Sequence, residues 1–185
     1  MNFIKHSNLV GIHAFLSGSD YSWLNYDEDK LDRVFHNRMA AVRGTEMHQL
    51  GHDLIRLGIK LPETSQTLNM YVNDAIGFRM TPEVTFFYSE DCFGTADTAA
   101  FRNDFLRIHD YKSGRIEASF KQLEIYCAFF CLEYRIRPFA IQTELRIYQN
   151  DAVKVLEPDP DEIFHIMDKV VTFDKRIKYL RSEVS

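Results

Sequence analysis

Near residue 84 the hydrophobic pattern changes from a helical period to an alternating one, and this switch limits the fold more than any other feature of the chain. Stretches 84–88, 93–101 and 105–111 are rich in β-branched and aromatic residues, and they are divided by Asp91, Asn103-Asp104 and Ser113-Gly114. Turn residues at such short intervals predict a three-strand meander. Upstream, the spacing predicts a helix over 27–43, opened by Asp27-Glu28-Asp29 and closed by Gly44. A second helix runs from Thr45 as N-cap through Leu50, Leu54 and Leu57 to Gly58, and a third covers 64–76, capped by Thr64 or Ser65 and stopped at Gly77. Downstream, a helix over 118–134 precedes a strand over 139–149 that ends at Asn150-Asp151. The last helix, 159–181, has Asp159 as cap, Pro160 in its first turn and Glu162 to complete a capping box. The expected fold is therefore α/β, more narrowly α+β: a central mixed sheet containing the meander, flanked by helices.

At 185 residues one domain suffices, with a helical part over 1–80, a sheet and helix that carry the chemistry over 83–150, and the terminal helix. Fifteen Phe and nine Tyr supply the bulk for a core. A net charge of −5 argues against coating nucleic acid by bulk electrostatics, yet residues 98–150 hold 8 Lys+Arg against 6 Asp+Glu, so the basic stretch is local. Cys92, Cys127 and Cys131 suggest neither a disulfide framework nor a zinc ribbon; Cys127 and Cys131 read as core thiols in a reducing compartment. No signal peptide and no apolar run of membrane-spanning length is evident, so the expectation is a cytoplasmic protein without a membrane partner.

The chemistry concentrates in FGTADTAAFRNDFLRIHDYKSGRIEASFKQLEIY, residues 93–126. Asp110 and Lys112 are two apart at a strand end, so both side chains share one sheet face while Tyr111 takes the other. In a meander, Asp97 on the preceding strand stands beside Asp110. Two converging carboxylates suit Mg²⁺ or Mn²⁺. A lysine on the same face can orient an attacking water, accept its proton, or neutralise charge growing on a phosphate.

A D-x-K triplet alone is weak evidence, but it has company. Gly44-Thr45 and His48 precede it, Asp97 sits in GTAD, and Gln122 and Tyr126 follow at i and i+4 on one helix face. In this combination the chain resembles the RecB-like branch of the PD-(D/E)XK nuclease superfamily, which includes phage and bacterial recombination exonucleases. The motifs span residues 44–126, 83 of the 185 positions. The resemblance implies a restriction-endonuclease-like core and a Mg²⁺- or Mn²⁺-dependent deoxyribonuclease, by preference an exonuclease in recombination, repair or phage DNA processing. It implies that His48, Asp97, Asp110 and the Tyr111 carbonyl bind the metal, that Lys112 is the catalytic lysine, and that Gln122 and Tyr126 shape the site and contact DNA. Iron–sulfur-bearing members of the branch use four cysteines; with three, no iron–sulfur cluster is expected here. DNA is the implied partner, with a recombination or single-strand-binding protein as a second, and a bacterial cytosol, phage-encoded, as the setting.

Two other readings compete. His48 and His52 at i and i+4 invite comparison with the zinc peptidase H-E-x-x-H, but Gln49 stands where the general base would be. His36, His52, His109 and His165 have no constellation, and His109 should point away from the face of Asp110. The alternative from another class is a nuclease-like module that binds DNA or protein without cutting. Arg43, Arg102, Arg115 and Lys121 are the basic candidates for phosphate contact. The apolar spacing of Ile163, Ile166, Val170, Phe173, Ile177 and Leu180 favours packing of the last helix on its own domain, with a homo-oligomer contact as the alternative.

Overall fold

The structure is a computed structural model that describes Ser7 and residues 14–184. Two compact units divide the chain at residue 42. In the first, a 3₁₀ turn (Ser22–Asn25) is held where the Trp23 indole N–H donates to the Ser17 carbonyl at 2.9 Å. There the Phe15 ring meets Phe35 edge-on at 5.6 Å, and the Arg38 guanidinium lies over Phe15.

The second unit, 43–185, carries the sheet. Strands β1 (Thr81–Ser89), β2 (Cys92–Arg102) and β3 (Phe105–Tyr111) form the antiparallel meander. Helix α3 (Lys121–Tyr134) then returns the chain so that β4 (Gln142–Gln149) pairs with β3 in parallel. Strand β5 (Ala152–Leu156) closes an antiparallel hairpin with β4, giving a mixed sheet in the order β1-β2-β3-β4-β5. The mixed sheet, meander and flanking helices are as the periodicity led us to expect. Among the described residues no helix is long and apolar enough to cross a membrane.

Alternation sorts the strand residues onto two faces. Leu106 and Ile108 of β3 join Leu145 and Ile147 of β4 beneath Leu123, Cys127 and Phe130 of α3, with Ile163 from helix α4 (Pro160–Val184). On the opposite face, Tyr111 and Tyr148 meet Tyr71, Val72 and Ala75 of helix α2 (Thr67–Gly77), together with Ile55. Thus Asp110 continues the Leu106/Ile108 row, while His109, fully buried, belongs to the α2 face as alternation required.

Several local expectations are corrected. Gly44 does not end a helix, and Thr45 does not cap one: helix α1 runs unbroken over Glu28–Leu57. Gly44 is buried because the helix passes the loop after β3 so closely that a Cβ there would lie 2.7 Å from Ser113 Oγ. The Leu50/Leu54/Leu57 stripe does not form the buried face, since Leu50 and Leu57 are exposed, and α1 buries Gly44, Gly51 and Ile55 instead. Helix α2 begins at Thr67 and not at residue 64. Asp151 supplies its cap from the β4–β5 turn, accepting from the Thr67 N–H and hydroxyl, both at 2.9 Å. That turn, Asn150-Asp151, has both residues in the left-handed region and makes a tight hairpin, so the chain that the sequence was expected to turn there returns at once as β5, a strand not expected from it. Asp159 caps α4 through the Asp161 N–H at 3.0 Å, but Glu162 pairs with Lys121 at 2.7 Å and not with the cap. Along α4, Ile163 is buried, Ile166 and Val170 pack on the core, and Phe173 and Leu180 remain exposed.

Alanine inside a helix ordinarily gains about 1 kcal/mol over glycine. At Gly44 that gain should be smaller, because the new methyl would force the Ser113 hydroxyl to rotate away. Adding Ser113→Ala should restore the full gain, since the remaining Ser113 Cβ would lie at an ordinary 3.8 Å. Denaturant unfolding of the single and double variants measures this; a single variant that already shows the full gain would mean that Ser113 does not restrict position 44.

Candidate active site

The site forms where β2 and β3 part. Their last paired residues are Thr98 and His109, so Asp97 and Asp110 are the next residues along the two diverging strands. Successive N–H groups of a strand point to alternate neighbours. The Lys112 N–H therefore continues the parallel ladder to the Tyr148 carbonyl at 2.9 Å, while the Tyr111 N–H turns to β2 and donates to Asp97 Oδ2 at 2.8 Å. A carboxylate has replaced the main-chain acceptor. This fixes the Asp97 carboxylate where the two strands part.

Helix α1 adds His48, whose Nδ1 lies 3.4 Å from the same Asp97 Oδ2 and whose ring packs edge-on against Tyr111 at 5.1 Å. The hydrogen bond to Asp97 raises the His48 pKa above its ordinary value, against the opposing effect of burial. Asp110 is 2% exposed. Burial, then the Asp97 charge, lifts its pKa from 3.8 to about 6, although Lys112 pulls the other way. The Lys112 ammonium stands 3.0 Å from Asp110 Oδ2 and donates to Gln122 Oε1, also at 3.0 Å. Gln122 Nε2 in turn donates to the Tyr126 hydroxyl at 2.8 Å. Tyr126 can lie this close to the sheet because Gly94 faces it: a Cβ there would come 2.6 Å from Tyr126 Cε1.

The side chains expected to hold the metal and do the chemistry thus fall into two bonded groups. His48, Asp97 and the Tyr111 N–H make one; Asp110, Lys112, Gln122 and Tyr126 make the other. Asp110 Oδ2 is a buried oxygen that accepts no hydrogen bond of normal geometry, the Lys112 contact being too oblique. Among the described residues no three His, Cys, Asp or Glu side chains converge on one point, because Asp110 is turned to Lys112. The donor chemistry nonetheless fits a divalent cation: an imidazole nitrogen, two carboxylates and a buried oxygen without a full partner, with the imidazole nitrogen and one carboxylate oxygen already side by side at 3.4 Å.

The sequence left three features unassigned. Ser113 meets Gly44, and Gly94 cradles Tyr126, both through absent side chains that no spacing rule reveals. His52 is not isolated, since its Nε2 lies 3.5 Å from Glu83 Oε2. Glu83 has a left-handed backbone (φ 51°), and β1–β2 pairing skips both Glu83 and Asp97 between Pro82↔Thr98 and Val84↔Ala96. The i, i+4 relation of His52 to His48 was the available signal. Of the basic candidates, Lys121 is engaged by Glu162 and Glu124, whereas Arg43 and Arg115 are exposed. Cys92, Cys127 and Cys131 are buried free thiols.

Comparisons with protein-family models, with curated proteins and with solved structures find no match.

Proposed function

We propose that the protein is a divalent-metal-dependent deoxyribonuclease of the PD-(D/E)XK type, acting on DNA by phosphodiester hydrolysis. The observation that carries this reading is the pairing of Asp110 with Lys112 on one sheet face, beside Asp97 and His48, at the point where two strands separate. His48, Asp97 and Asp110 would hold Mg²⁺ or Mn²⁺, with the Tyr111 carbonyl as a further ligand. The cation would act as a Lewis acid on the phosphate. The protein's own work is to place one ammonium. Lys112 is fixed by its main chain on Tyr148 and its side chain on Gln122, so its charge is held beside Asp110. There it stabilises developing negative charge and orients water. Gln122 and Tyr126 act through Lys112 and line the approach of the strand. An exonuclease of recombination or phage DNA processing in a bacterial cytosol is the narrower proposal, with a single-strand-binding protein as companion.

The test is degradation of linear DNA by the purified protein in Mg²⁺ or Mn²⁺, with EDTA as control. Binding without cleavage in either metal would favour the silent-module reading. Both groups with raised pKa must lose their protons to act as ligands, so cation binding and cleavage should fall as pH drops through about 6, where Asp110 protonates. A rate that is flat from about pH 5 to 8 would contradict the ligand assignment.

A further inference from the structure

At the other end of β3 from Asp110 lies a second polar cleft, of about 290 Å³. Five residues of strand separate its edge at Phe105 from Asp110, roughly 17 Å at strand rise. Its walls are Arg102 and Asn103 at the β2–β3 turn, Phe105 and Arg107 of β3, Gln142 at the start of β4, and Phe78 after α2; Ala100 closes the floor. No carboxylate lines it.

The guanidinium of Arg107 is held as a rigid plate. Its carbon lies 4.0 Å from the Phe105 ring centre and 4.5 Å from that of Phe78, and its Nε donates to Glu144 Oε1 at 3.1 Å. Two terminal nitrogens remain, in the fork geometry that matches an oxyanion. Glu144 also takes the Arg146 Nε at 2.9 Å, and Arg146 has Asp74 Oδ2 at 3.1 Å as a second acceptor, so two carboxylates match Arg107 and Arg146, and the guanidinium of the cleft without a carboxylate partner among the described residues is Arg102. Arg102 spends one nitrogen on the Arg79 carbonyl at 2.7 Å, and the side-chain amides of Asn103 and Gln142 form no hydrogen bond among the described residues. Free donors therefore converge beside an aromatic ring, and the one acid bonded to a lining side chain, Glu144, is already taken up by Arg107 and Arg146. That is the chemistry that recognises a phosphate attached to a planar ring.

We infer that this cleft binds the phosphate of a nucleotide, at a site separate from the Asp97/Asp110 centre. Arg102 and Arg107 take the phosphate oxygens, the two amides supply neutral donors, and Phe105, which carries Arg107 on one face, offers the other to the base. The source is either a free nucleotide or the phosphorylated end of a strand. Binding here needs no divalent cation, which separates it from the nuclease reading.

Calorimetric titration in EDTA tests this, using deoxyadenosine monophosphate and a short single-stranded oligonucleotide with and without a 5′-phosphate. Binding of at least one phosphorylated probe is expected without any divalent cation, weakened at least ~10-fold in Arg102→Gln. Arg102 is exposed, so its replacement leaves the core intact; Arg107→Lys, which keeps charge but loses the fork, should weaken binding similarly. A mononucleotide that binds as well as the oligonucleotide identifies a free nucleotide as ligand, and binding only of the 5′-phosphorylated strand identifies a strand end. No binding of any phosphorylated probe at millimolar concentration, or undiminished binding in Arg102→Gln, would overturn the proposal.

Discussion

Lys112→Ala is expected to lower metal-dependent DNA hydrolysis by about 10²- to 10⁴-fold while leaving a folded protein that still binds DNA. The size follows from what the ammonium touches. It stands 3.0 Å from both Asp110 Oδ2 and Gln122 Oε1, and its main chain is locked to Tyr148. No other cation among the described residues is paired with Asp110. Its loss also removes the charge that holds the Asp110 pKa down, so the carboxyl protonates more readily and becomes a poorer ligand. Single-turnover cleavage at saturating metal separates the two effects, since excess metal restores binding and not chemistry. Full activity in the alanine variant would remove Lys112 from the mechanism.

Asp110→Asn should abolish cleavage and, in metal-free buffer at neutral pH, make the protein more stable. The sign follows from linkage. A carboxyl whose folded pKa is raised from 3.8 to about 6 binds its proton more tightly in the folded state, so it costs no stability below pH 3.8. The cost grows as pH rises through that window and is complete above about 6. At 1.36 kcal/mol per pH unit the difference is about 3 kcal/mol, and in a chain of this length about 6 to 12 °C of melting temperature. Asparagine is neutral throughout. The variant's advantage should therefore be large at pH 7 and vanish near pH 4, and added Mg²⁺ should raise the melting temperature of the parent alone. Equal stability of the two proteins at pH 7 would show that Asp110 is not held at a cost.

Much of this site was legible because its parts obey short-range rules. Asp110 and Lys112 share a face by the two-residue period, and Gln122 and Tyr126 share one by helical spacing; both pairs meet as expected. The meander was readable from Asn103-Asp104, whose residues both take the left-handed backbone of a tight hairpin. The strand β5 was less readable, because a hairpin turn and a strand-ending turn have the same composition. Gly44 misled for a related reason: glycine marks helix ends, and it also marks places where a neighbouring side chain lies against a helix, and only the neighbour distinguishes the two. The cap of α2 comes from Asp151, 84 residues away, and lies beyond any local signal.

By itself the amino-acid sequence determined the periodicities, and with them the mixed α/β fold, the face each charged residue occupies and the donor types available for chemistry. Tertiary structure decided which of those groups meet. It set the last β2–β3 pair at Thr98 and His109, so that Asp97 accepts from Tyr111. It passed α1 over the loop after β3, which brought His48 to Asp97. Arg102, Arg107 and Gln142 came together at the far end of the sheet for the same reason. Hydrophobic period fixes direction along one element, whereas the register between elements is set by packing that no single segment encodes.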